Sequence, residues 1–350
     1  MKITPYEVEG KVDYFKLVKE FGLSLIDEEL KRKLKGIRLV ELGFFFAHRD
    51  LDKVIKEDFA VVSGRGPSKE VHIGHFLLFK LVKEFQDKFN SYVFIPFSDD
   101  EKFLVKNISL EEAREYAFEN AKDILALGFK KKRTEIMIDS YNLKQEAYNL
   151  AIKASKKLTM STIKAIYGFK NEQNVGIHFY PCMQASHILY PTLKRGLPVL
   201  VPVGIDQDPH MRAARDVAER LGLRKPASIE CKFLPSLSGE EKMSASKEDA
   251  IFLSDDEETV RKKIHDAFTG GRDTLEEQRK LGGRPEICPI FKYHQLVVGS
   301  DFRAIEEECK SGGRTCGDCK EELCQALIRM LKKHRKKREK IKVEDFFVQT

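Results

Sequence analysis

The feature that most constrains this chain is a repeated switch of hydrophobic period, from short apolar runs to helical spacing. Residues 59–63 (FAVVS) are apolar, rich in β-branched side chains, and stop at Gly64. A glycine-bearing turn, GRGPSKEVHIGH, follows. After it Phe76, Leu77, Phe79, Val82 and Phe85 return at helical spacing across 76–89. Tyr92–Phe97 is a second such run, ending in Ser-Asp-Asp-Glu-Lys, and 199–203 is another, ending in Gly-Ile-Asp-Gln-Asp. Between them, Ser109 with Glu112 three residues on has the form of a capping box. It opens a helix whose apolar stripe is Ala113, Tyr116, Ala117, Ala121 and Ile124. Residues 135–138 read as a further strand, and 140–170 and 212–221 as helical. Strands alternating with helices predict an α/β fold with a doubly wound parallel sheet, in which loops after strand C-termini bind ligands. Beyond about residue 258 the strand signal fades, and 260–268, 274–280, 301–310 and 321–342 all read as helical. We therefore expect an N-terminal extension over 1–57 with a helical stretch at 23–34, an α/β domain over 58–260, and an all-helical domain over 261–350.

Composition narrows the class. Of the 350 residues, 42% are hydrophobic and 33% charged, which suits a globular chain. No apolar run approaches the roughly 20 residues that span a bilayer. The first residues, MKITPYEVEGKVDYF, carry acids and lack the apolar segment of a signal peptide, so a cytoplasmic location without a membrane partner is expected. The net charge is +7, and residues 329–342 hold nine Lys or Arg, which fits either a solvated helix face or contact with a polyanion. Seven cysteines in a chain without an export signal argue against disulfides. Four of them, Cys288, Cys309, Cys316 and Cys319, are separated by 20, 6 and 2 residues and end in a compact C-x-x-C. Thiolates so spaced hold zinc or an iron–sulfur cluster, unless they are merely buried and unliganded.

Two motifs carry chemistry. His72 and His75 flank Gly74 on a turn expected to open a helix, where unpaired N–H groups and the positive end of the helix dipole favour phosphate. Gly74 lets a nucleotide approach the backbone, and the two imidazoles can donate to phosphate oxygens as charge builds in the transition state. Further on, Lys242-Met243-Ser244-Ala245-Ser246 offers one ammonium and two hydroxyls on a loop able to close over pyrophosphate as the bond to it breaks.

The pair HIGH and KMSAS resembles the signature of class I aminoacyl-tRNA synthetases. With GRGPSKEVHIGH, SDDEKF, GIDQDPHMR and AFTGGRDTLEEQRKLGG around it, the chain is similar to tryptophanyl-tRNA synthetases of the archaeal and eukaryotic type, over nearly its whole length. That resemblance implies a Rossmann-type catalytic domain with a helical anticodon-binding domain, a homodimer, and ATP, Mg2+, tRNA(Trp) and an amino acid as cofactor and substrates. By the same resemblance His72, His75, Lys242, Ser244 and Ser246 are catalytic, and Gly64, Arg65, Gly74, Lys102, Asp206 and Met243 serve ATP. Glu101, Gln184 and Gln207, with Tyr180, match positions that take the α-ammonium. The side-chain pocket departs from the pattern. Val62 stands where these enzymes have tyrosine and Pro96 where they have glutamine, so neither side chain can accept from an indole N–H. His187 stands where tyrosyl enzymes have aspartate. We expect His187 to meet the polar edge of the substrate, or else to be bonded within the protein. Some tryptophanyl enzymes carry a similar four-cysteine arrangement holding a 4Fe–4S cluster. The remaining readings are tyrosine or another aromatic amino acid as substrate, a tRNA-binding paralogue that charges nothing, and a small-molecule adenylyltransferase.

Overall fold

A computed structural model describes residues 2–3, 8–9, 12–240, 249–299 and 301–347. The chain forms two compact units that are not consecutive in sequence. The first comprises residues 1–69, 78–232 and 342–350, the second 70–77 and 233–341. The units thus cut the chain elsewhere than the boundaries expected at 57/58 and 260/261.

The first unit is built on a seven-stranded sheet. In chain order its strands are β1 (Ser24–Leu25), β2 (Phe45–Arg49), β3 (Ala60–Val62), β4 (Tyr92–Phe97), β5 (Thr134–Ile138), β6 (Val199–Gly204) and β7 (Ala227–Cys231). Their spatial order is β1-β2-β7-β6-β3-β4-β5. β7, β6, β3, β4 and β5 are parallel, while β2 joins β7 and β1 joins β2 antiparallel. The chain winds outward from β3 through β4 to β5, then returns to the other side of β3 as β6. This reversal between β3 and β6 opens the crevice at the strand C-termini where such sheets bind ligands.

Every residue of β3, β4 and β5 is buried, as a sheet covered on both faces requires. Alternate residues Ala60, Val62, Tyr92 and Phe94 pack in one cluster with Ala147, Leu150 and Ala151, and with Met183 and Ile188 of a long helix. Turned to the other face, Gln86 donates from the helix Ile73–Phe89 (α1) to the Thr134 hydroxyl at 2.9 Å. The helix α2 (Asp99–Val105) follows β4 directly. In α3 (Leu110–Leu125) the Ser109 hydroxyl accepts from the Glu112 N–H at 3.0 Å, as its spacing predicted. The long helix α4 (Val175–Arg195) is capped by the Asn174 side chain and ends at Gly196, whose φ of 67° is the left-handed conformation glycine takes without strain.

Two local expectations need correction. Residues 23–34 are not one helix. Leu25 pairs with Ala47 in the sheet, and the Asp27 carboxylate then accepts from the Leu30 N–H, which starts a separate short helix at Glu28. Residues 1–57 are likewise not simply a leading extension, because they supply β1 and β2. Phe45 and Ala47 of β2 are buried and Phe46 partly so.

In the second unit the regular elements among the described residues beyond 256 are helices, among them Glu257–Asp266 and α5 (Cys316–Arg338). Leu323, Leu327 and Leu331 of α5 are buried and Met330 partly so, and the helix packs on Glu257–Asp266. No helix among the described residues is long and apolar enough to cross a membrane.

Candidate active site

In the first unit the expected residues lie where strands end. Beyond Val62 the backbone continues beside β4: the Arg65 N–H donates to the Pro96 carbonyl at 2.9 Å, and the Ser98 N–H to the Arg65 carbonyl at 3.0 Å. The parallel ladder would place one more bond here, from residue 96 to the Ser63 carbonyl, but proline has no N–H to donate. An added Cβ at Gly64 would touch the Pro96 ring at 3.0 Å. The Arg65 guanidinium is buried and donates to Asn120 and Ser68, and burial lowers its pKa to about 10. Asp206 and Gln207 follow β6, where the Gln207 amide donates to Asp206 at 3.1 Å.

Glu101 is no exposed loop acid. It is buried on α2, and its carboxylate lies 3.5 Å from the Lys102 ammonium. Gly66, which sequence reasoning passed over, explains how both reach the loop. A Cβ there would stand 2.6 Å from the Glu101 carboxylate and 2.8 Å from the Lys102 side chain. Tyr180, Gln184 and His187 fall at i, i+4 and i+7 on one face of α4. The Tyr180 hydroxyl donates to the Gln184 carbonyl oxygen at 2.7 Å and lies 3.2 Å from the Ser98 hydroxyl, which ties α4 to the end of β4.

His187 is buried, and its Nε2 lies 2.9 Å from Asp139, the residue that follows β5. One ring nitrogen is therefore bonded within the protein, as one of the two expectations had it. The other, Nδ1, is buried without a hydrogen-bond partner. Burial lowers the His187 pKa to about 4, against the opposing pull of Asp100 and Asp99. Burial first, and then the Asp139 charge, raise Asp100 to about 8. Asp139 was not foreseen, since a lone Asp after a strand carries no motif.

In the second unit, Ile73 opens α1 as expected. The His72 Nδ1 accepts from the Gly74 N–H at 3.1 Å, so the imidazole itself caps the helix. The His72 and His75 rings stack with centroids 3.9 Å apart. A Cβ at Gly74 would lie 3.0 Å from the His72 ring, so glycine is what allows the imidazole to fold back over the helix start. The segment is held by backbone bonds from Ile73 to Ile251 and from Leu253 to Val71, each 2.9 Å. Lys242, Met243, Ser244 and Ser246 lie outside the described residues.

Cys288, Cys309, Cys316 and Cys319 line one cavity, together with Gly271 and Arg314. The glycines cradle sulfur: a Cβ at Gly271 would be 2.6 Å from the Cys316 Sγ, and one at Gly283 2.7 Å from the Cys309 Sγ. The buried Nε of Arg314 has no hydrogen-bond partner. Burial pushes the Cys319 thiol up to about 12, with Arg314 opposing it. Among the described residues, the only three potential ligand atoms within 4.8 Å of one another belong to His265, Glu321 and Cys324, so no three of these four thiols are that close.

Residues 54–332 match the family of class I tRNA synthetases for W and Y. The chain is 46% identical to a tryptophan–tRNA ligase of Pyrobaculum aerophilum, over 98% of this chain and 96% of that one. It is 43% identical to that of Pyrococcus abyssi, over 97% and 91%. Among solved structures, the tryptophanyl-tRNA synthetase of Aeropyrum pernix superposes with a TM-score of 0.87 at 36% identity, covering 94% of each chain. This chain belongs to the class I tRNA synthetases for tryptophan and tyrosine.

Proposed function

We propose that this chain activates tryptophan with ATP and transfers it to tRNA(Trp). The observation that carries this reading is the near-complete alignment, at 46% identity, with a tryptophan–tRNA ligase. It is supported by the helix start at His72–Gly74, by the Tyr180–Gln184 pair and by the buried Glu101 beside Lys102.

In the first step the tryptophan carboxylate attacks the α-phosphorus of ATP and pyrophosphate leaves. In the second, a terminal ribose hydroxyl of tRNA attacks the adenylate carbonyl and AMP leaves. The carboxylate is already a nucleophile, so the first step needs orientation and charge stabilisation rather than a base. With Nδ1 accepting from the Gly74 N–H, the His72 ring carries its proton on Nε2, the kind of donor a phosphate takes. His75 and the helix N-terminus add further donors. Gly64, Arg65, Gly74, Lys102, Asp206 and Met243 serve the nucleotide, and Lys242, Ser244 and Ser246 the departing pyrophosphate. Magnesium would neutralise part of the phosphate charge. Glu101, Tyr180, Gln184 and Gln207 hold the α-ammonium, to which a carboxylate and amide oxygens are complementary. Val62, Pro96 and His187 bound the side-chain pocket.

The four cysteines suit an iron–sulfur cluster better than zinc. Four thiolates about 2.3 Å from one zinc stand only about 3.8 Å apart, closer than any three of these sulfurs. Two glycines leave room for a larger group, and the unpaired Arg314 Nε–H can donate to its sulfur. The exposed lysines of α5 fit the tRNA backbone. A homodimer in the cytoplasm completes the reading. Charging of tRNA by the purified protein with labelled tryptophan tests it. Accumulation of Trp-tRNA that depends on Lys242 and His72 supports the reading, and no charging overturns it.

A further inference from the structure

We propose that the His187 Nδ1 accepts the indole N–H of tryptophan, and that Asp139 holds the imidazole in the tautomer that makes this possible. This rests on the tryptophan reading above and adds the group that recognises the ring.

An indole offers one polar edge, an N–H donor. If that donor is buried without an acceptor, discrimination in its favour disappears, a loss of roughly 10- to 100-fold for one buried hydrogen bond. Neither Val62 nor Pro96 has a side-chain acceptor. His187 stands beside that wall: Met183 and Tyr190, about one helical turn to either side of it, share an apolar cluster with Val62 and Phe94. Its Nδ1 is a buried polar atom with no partner in the protein. Ser63 also has an unpaired buried hydroxyl, but strand alternation turns it to the opposite face of the sheet from Val62.

Whether Nδ1 accepts or donates depends on where the ring proton sits, and the neighbouring carboxyls decide this. The second Asp139 oxygen, Oδ2, meets no N–H or hydroxyl donor within hydrogen-bond geometry. Burial and the charge of Asp139 raise the pKa of Asp100 to about 8, and burial raises that of Asp139 as well. Two neighbouring buried carboxyls do not both stay charged, and Asp100, raised by burial and by the charge of Asp139, takes up the proton. The Asp139 Oδ1 then accepts from the His187 Nε2–H, 2.9 Å away. The neutral ring has its single proton on Nε2 and leaves Nδ1 as a lone pair. Asp139 is thus a positioning residue, acting through His187.

The test compares ATP–pyrophosphate exchange with tryptophan and with β-(benzothiophen-3-yl)alanine, in which sulfur replaces the indole N–H at nearly the same shape. Wild type should prefer tryptophan in kcat/KM by about 10- to 100-fold. His187→Phe should bring the ratio to within about threefold of one while exchange with the analogue persists. An asparagine amide oxygen can take the place of Nδ1, whereas a glutamine amide reaches the place of Nε2. His187→Asn should therefore retain much of the preference and His187→Gln should lose it. Ser63→Ala should leave the ratio unchanged. A ratio unaltered in His187→Phe, or abolished in Ser63→Ala, overturns the role of His187. Wild type that exchanges with neither substrate overturns the tryptophan reading instead. Independently of any variant, the 15N spectrum of wild-type histidines should show His187 as the Nε2–H tautomer with Nδ1 shifting on tryptophan binding. An Nδ1–H tautomer overturns the proposal.

Discussion

Gly74 and Gly66 do different work at the scale of single residues. Gly74 lets the His72 ring fold back to cap α1, and Gly66 lets Glu101 and Lys102 reach the loop after β3. Replacing His72 with alanine removes a cap and, on the proposed function, a phosphate donor. We expect a thermal shift equivalent to about 1 kcal/mol and a fall of at least about 100-fold in the exchange rate. Gly66→Ala drives a Cβ into the Glu101 carboxylate, so the KM for the amino acid should rise about tenfold with little change in melting temperature, as read by exchange kinetics and calorimetry. Glu230 on β7 makes a pH prediction. It is fully buried, with its Oε1 bonded to Ser228, and burial raises its pKa to about 8. In the unfolded chain it titrates near 4.3. Between those values the folded state holds a proton that the unfolded state has lost, so this group's contribution falls as pH rises from about 4 to about 8 and levels off above. The melting temperature of wild type should therefore drop relative to Glu230→Gln across that range, and a constant difference would refute it. The HIGH residues were legible because their spacing carries chemistry, whereas Gly66 and Asp139 acquire meaning only from what the fold brings against them.

At the scale of elements, the turn from one period to another located most of β3, β4, β5 and β6, and Ser109 located the start of α3. The strands that the period did not locate are β1, β2 and β7; β2 and β7 have five residues each, with His48, Ser228 and Glu230 interrupting the apolar run. β1 has two residues, too few for a period, and it exists because β2 offers Ala47 as a partner. The basic end of α5 was legible as composition, and the fold sorts it. Leu323, Leu327 and Leu331 turn inward while Lys333, Lys336 and Lys337 are exposed. Changing those three lysines to glutamate should raise the KM for tRNA about tenfold or more and flatten its salt dependence. ATP–pyrophosphate exchange, which needs no tRNA, should be unaffected. The cysteine cavity predicts visible charge-transfer absorbance after anaerobic purification, reduced by Cys319→Ser. A colourless protein with stoichiometric zinc would contradict the cluster.

For the whole molecule, the order HIGH then KMSAS on an α/β chain was legible from the start, because each motif needs a strand end or a loop that the period already supplies. The partition was not. The second unit takes residues 70–77 out of the middle of the α/β sequence, and the first takes back 342–350, an interleaving that hydrophobic period does not encode. Specificity was legible only as a departure from pattern at Val62, Pro96 and His187, since an unpaired Nδ1 is a property of the folded neighbourhood. The most direct test of the central claim is ATP–pyrophosphate exchange by the purified full-length protein against each of the twenty amino acids. Exchange with tryptophan should stand well above that with all others, tyrosine included. Exchange with none, or a preference for another amino acid, would contradict it.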